Sequence, residues 1–128
     1  MPFTYSVDLE QRLVLVRMSG ALTRDEMFAC TNSLRNDPRV TSEFSELVDL
    51  RGLTSVEAVR AEDVRAMASG SLSPAARRAI VAPDNAAFGL SRMFESLRGA
   101  KGAPDQTVVF RTMQEADVWL GLSSTPGT

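Results

Sequence analysis

The stretch RAIVAPDNAAFGLSRMFESL, Arg78 to Leu97, decides the fold. Ala79, Ile80, Val81 and Ala82 form an apolar run without polar alternation, the pattern of a short strand covered on both faces. Pro83 ends it, because proline has no N–H to donate to a ladder. Asp84 or Asn85 then offers a side-chain oxygen to the open N–H groups of a following helix. In that helix Leu90, Met93, Phe94 and Leu97 recur at i, i+3, i+4 and i+7 and therefore share a face. Gly99 is a natural stop, since glycine enters the left-handed cap conformation at little cost.

Upstream, Phe3 to Asp8 alternates apolar and polar residues and reads as a half-buried strand. Leu13 to Met18 is a second, more apolar strand; the short polar connection Leu9 to Arg12 makes the two an antiparallel hairpin, closed by Gly20. Thr23-Arg-Asp-Glu26 has capping-box spacing, and Met27, Cys30 or Thr31, and Leu34 mark the inner face of the helix it starts. Asn36-Asp37-Pro38 stops that helix. Glu46 to Arg51 is a third strand around a central Asp49, ended by Gly52, with Thr54 and Ser55 in an irregular piece beyond. Ala61 to Ser69 is a helix with Val64, Met67 and Ala68 inward and Gly70 as its cap; Ser71 to Ala76 is a connector.

Downstream, Gly99 to Asp105 is an exposed Gly/Pro/Lys loop and Thr107 to Arg111 a fifth strand. Thr112-Met-Gln-Glu115 repeats the capping-box spacing, and Ala116, Trp119 and Leu120 pack a last helix that Gly121 ends. The order is β-β-α-β-α-β-α-β-α, an α/β domain with a central five-stranded, mostly parallel mixed sheet and four helices. Residues 1–122 make one domain and 123–128 a small polar tail expected to be mobile.

Composition narrows function. The 128 residues carry 14 basic and 16 acidic side chains spread along the chain, which leaves no electrostatic footprint for nucleic acid. No apolar run reaches the roughly 20 residues that cross a bilayer, and the start lacks signal-peptide features, so a cytoplasmic protein is expected. One cysteine, Cys30, excludes an intramolecular disulfide and cysteine metal clusters; near the apolar face, it reads as a buried filler. With no histidine, imidazole catalysis is excluded. No phosphate-loop, dinucleotide or nucleophile-elbow spacing occurs either, so no enzyme activity, cofactor or metal is expected.

The strand ELVDLRG (46–52), the strand and turn RRAIVAP (77–83), the helix segment AFGLSRMFE (87–95) and VFRTMQEADVWL (109–120), in that order, resemble the bacterial SpoIIAA-like proteins. These belong to the wider STAS group, structurally related to the CRAL-TRIO lipid-transfer fold. The resemblance implies a compact α/β domain, often dimeric, that is regulatory or protein-interacting, or alternatively carries a lipid or other small hydrophobic or anionic ligand. The better-known anti-sigma-factor antagonists have a phosphorylatable serine in an Asp-Ser-Ser-Gly segment after a strand. The matching region here, VDLRGLTSVEA, lacks that motif, leaving Thr54 and Ser55 as the nearby hydroxyls.

Two sets of residues are candidates for binding. The strand-end loops carry Asp49, Arg51, Thr54, Ser55, Asp84 and Asn85, where helix N-termini present open N–H groups to a polar or anionic ligand. The helix face with Phe88, Leu90, Met93, Phe94 and Leu97 is wider than one core contact needs and is a candidate dimer surface or pocket lid. Arg77-Arg78 reads as a solvated strand entry, and Glu62-Asp63 as helix N-terminal charges.

Overall fold

Ala79, Ile80 and Val81 lie in the strand Arg77–Val81 (β4), with a hydrogen-bonded neighbour on either side and helices over both faces. The computed structural model describes residues 3–41, 43–68, 76–100, 102 and 106–122. The other elements are β1 (Phe3–Asp8), β2 (Leu13–Ala21), α1 (Arg24–Arg35), β3 (Ser45–Ser55), α2 (Ala61–Met67), α3 (Asn85–Ala100), β5 (Gln106–Phe110) and α4 (Met113–Leu120). The strands stand in sequence order, β1-β2-β3-β4-β5; β1 pairs antiparallel with β2 and every later pair is parallel.

Successive crossovers in one direction place their helices on one face when all have the same hand. Accordingly α1, α2 and α3 pack over Val16, Val48, Ile80 and Val109, while α4 packs over Leu13, Leu47, Ala79 and Val81. Period-two alternation thus serves two cores, which is why β4 carries no polar alternation.

Local chemistry sets most helix ends. Thr23 Oγ1 accepts the Glu26 N–H, Thr112 Oγ1 accepts the Glu115 N–H, and Asp84 Oδ2 accepts those of Ala86 and Ala87. Asp84 is therefore the cap of α3 and Asn85 its first residue. Gly121, at φ 72°, ends α4 as expected.

Other glycines depart from the expectation. Gly52 does not end β3, which continues to Ser55 because β2 also runs on and pairs with it, Ser19 opposite Gly52 and Ala21 opposite Ser55. Thr54 and Ser55 accordingly belong to a strand and not to an irregular loop. The register shifts here, and a Cβ at Gly52 would lie 3.1 Å from the Met18 carbonyl oxygen, so the glycine permits a close approach. Gly20 sits inside β2, with a φ of 72° at the second shift. Gly99 is interior to α3, and the left-handed residue is Gly102, whose N–H donates to the Gly99 carbonyl. α2 closes at Ala68; Ser69, Gly70, the connector 71–75, most of the loop after Ala100 and the tail 123–128 lie outside the described residues.

Candidate functional site

Strand register arranges the wall beneath α1, α2 and α3 in rows. Val14, Glu46, Arg78 and Thr107 are paired across four strands and form one row. The next is wholly apolar, Val16, Val48, Ile80 and Val109, and Met18 and Leu50 extend it. Facing this wall, the helices mix small side chains, Ala87 and Ser91 from α3 and Cys30 and Thr31 from α1, with larger ones, Met27 and Leu34 from α1 and Leu90 and Phe94 from α3. α1 makes few close backbone approaches to any strand and is held chiefly by its side chains. Between the sheet and these helices lies a cavity of about 810 Å³, partly open to solvent.

Met18, Met27 and Met67 line it together with Leu53, Leu90 and Phe94. Methionine's unbranched thioether adapts to irregular space and to changes of occupant. Two contacts close α1 onto α2: Arg24 Nε lies 3.2 Å from Asp63 Oδ1, and Thr31 Oγ1, within reach of the Met27 carbonyl at 3.1 Å, lies 3.5 Å from Met67 Sδ. Asp63 also accepts the Arg60 N–H, so one buried carboxylate starts α2 and anchors α1.

The polar row carries an ion pair in the cavity wall. Arg78 Nε donates to Glu46 Oε1 at 3.1 Å, with the two side chains only 13% and 15% exposed. The guanidinium also lies 5.2 Å from the centre of the Phe94 ring. Burial, with the Glu46 carboxylate adding to it, pushes the Cys30 thiol up to about 12, so this cavity-lining sulfur stays neutral and unreactive near pH 7. That agrees with the reading of Cys30 as a filler.

The expected solvated entry Arg77-Arg78 is corrected in its second member. Arg77 is exposed and stacks 5.4 Å from the Trp119 ring, whereas Arg78 points under α3. Alternation along a strand with two covered faces sends adjacent arginines to opposite sides. Glu46 was likewise unremarked in the sequence. The available signal was a charge at the second position of each of two apolar strands, which in-register parallel pairing brings together.

The strand-end candidates divide. Asp49 and Arg51 are inside β3, on the α4 face, where Arg51 donates twice to the Asp49 carboxylate at 2.9 Å and Arg17 approaches to 3.8 Å. Burial alone would raise the Asp49 carboxyl, but the Arg51 hydrogen bonds outweigh it and hold the group below the usual range. Thr54 is exposed near the end of β3, and Ser55 Oγ accepts the Glu57 N–H. Asp84 caps its own helix and Asn85 Oδ1 accepts from Arg111. Among the described residues no hydrogen bond or ion pair joins the Asp49–Arg51 pair to Asp84 or Asn85.

The α3 face is largely used within the chain. Leu90, Phe94 and Leu97 pack with Leu22, Met27, Val59 and Val64; Phe88 packs near Ile80 and lies 3.8 Å beneath the Arg111 guanidinium. Met93 is 36% exposed. The described residues contain no cluster of three or more metal-ligating side chains and no helix long and apolar enough to cross a membrane.

No protein-family model matches the chain, and no curated protein matches it in sequence. Among solved structures it is similar to an uncharacterised protein of the DUF3478 family, with a SpoIIAA-like fold, from Shewanella loihica PV-4. The TM-score is 0.55 at 17% identity, covering 92% of this chain and 93% of the other. The five-stranded mixed sheet, the order of its elements and this match over nearly the whole length together give the chain a SpoIIAA-like fold.

Proposed function

We propose that the chain is a non-catalytic binding protein that takes one small apolar molecule, or the acyl chain of a lipid, into the cavity between the sheet and α1, α2 and α3. The observation that carries this reading is the size and chemistry of the cavity: about 810 Å³, walled mainly by Val, Leu, Ile, Met and Phe. Pockets for small organic ligands run from about 300 to 1,000 Å³ and have largely apolar walls. An apolar occupant that covers this wall removes apolar surface from water, worth roughly 25 cal/mol per Å² covered. Water along the apolar part of the wall finds few polar partners and is readily displaced by such an occupant.

The absence of histidine and the neutral Cys30 thiol support binding without chemistry. The regulatory, protein-partner and dimer readings rest on the family resemblance, with Met93 as the exposed residue of the α3 face.

Titration with an environment-sensitive apolar fluorophore tests the reading. The native chain is expected to bind one equivalent saturably, and Val48→Phe, which projects a ring from the middle of the cavity wall, to abolish that binding with the fold intact by circular dichroism. Absent saturable binding, or equal binding by Val48→Phe, would contradict it.

A further inference from the structure

Resting on that reading of the cavity, we infer that its ligand is an anionic amphipath, a medium- to long-chain carboxylate, with the head at the Glu46–Arg78 end and the chain running along β3 toward Leu53. The cavity is polar at one end and apolar at the other. On the sheet, the row of Glu46, Arg78 and Thr107 is succeeded by rows made only of apolar side chains. The polar end also meets solvent: Arg35, Asn32 and Thr41 line the same cavity and are exposed. The far end is closed by Leu22, Val59 and Val64, all buried. A chain enters such a space tail first.

Charge selects the head. Glu46 and Arg78 offset one another across 3.1 Å, and Arg35, in the last turn of α1, adds a positive charge at the mouth that forms no ion pair among the described residues, so the charged side chains lining this end favour an anion. Arginine is also the side chain whose fork matches a carboxylate in two hydrogen bonds. Length is consistent with an acyl chain. Glu46 and Leu53 are seven residues apart in β3, about 23 Å at the rise of a strand.

The test compares laurate, dodecanol and methyl laurate by isothermal titration calorimetry on the delipidated full chain, at pH 7.5 and two salt concentrations. Laurate is expected to bind about tenfold more tightly than either neutral analogue at low salt, a margin that narrows as salt screens the exposed Arg35. Arg35→Gln is expected to weaken laurate severalfold and leave dodecanol unchanged. Glu46→Gln, by removing the carboxylate that competes for Arg78, is expected to strengthen laurate severalfold with no gain for dodecanol, a change that damage to the fold would not produce. Equal affinity for laurate and dodecanol, or variants that shift all three compounds alike, would overturn the head assignment while leaving the cavity reading standing. Binding of none of the three would overturn both.

Discussion

Asp37 governs how the end of α1 is tied to the edge of the sheet. Its Oδ1 accepts the Arg39 backbone N–H at 2.9 Å and Arg39 Nε at 3.0 Å, and its Oδ2 accepts the Tyr5 hydroxyl at 2.9 Å and Arg39 Nη2 at 2.7 Å. The Arg39 side-chain hydrogen bonds, followed by that backbone bond, hold the Asp37 carboxyl well below the usual range. The Tyr5 hydroxyl is in turn pushed up, first by its bond to Asp37 and then by burial. A carboxyl whose pKa is depressed on folding contributes stability above its unfolded pKa, near 4, and loses it as pH falls toward the folded value. The urea midpoint is therefore expected to drop between pH 6 and pH 3. Asp37→Asn should start lower at pH 6 and show a smaller drop; an unchanged pH slope would contradict the assignment. Sequence alone exposed only half of this. Asp37 falls in a recognisable helix stop and Tyr5 in the alternating strand Phe3 to Asp8, but a bond between residues 32 apart leaves no local trace.

Glycine illustrates the same division among the elements. Gly121 was legible as a terminator because its left-handed turn is closed locally, its N–H donating to the Asp117 and Val118 carbonyls of the same last turn. Gly52 was not, since its use depends on the continuation of β2 beside it: the residue serves close packing against Met18 and Ser19, not a chain reversal. Gly52→Val is expected to destabilise the chain by about 1–3 kcal/mol, as overpacking against backbone does, measured by chemical denaturation. A variant as stable as the parent would show that the two strands do not approach this closely. Helix starts were the most legible features, since Thr23, Asp84 and Thr112 each accept an N–H from within their own first turn.

For the whole molecule, the alternation of strands and helices was enough to anticipate a mostly parallel sheet with one antiparallel edge, because crossover rules leave few alternatives. The cavity was not legible. Its volume depends on how far α1 stands from the sheet, and an inward stripe of Met27, Cys30 and Leu34 looks the same over a filled core as over an open one. Strand-end loops are the usual ligand position in open α/β sheets; here Asp49 pairs with Arg51, Asp84 caps α3, Asn85 accepts from Arg111 and Thr54 is exposed. Six methionines give a direct way to test the central claim, that an apolar ligand occupies the space under α1, α2 and α3. Met18, Met27 and Met67 line the cavity, Met93 is exposed on α3, and Met113 packs on the opposite face of the sheet. Methyl-labelled methionine NMR during titration with laurate is expected to shift the first three resonances together and to saturation, with those of Met93 and Met113 unmoved. A titration in which Met18, Met27 and Met67 stay in place, or move no more than Met113, would contradict the account.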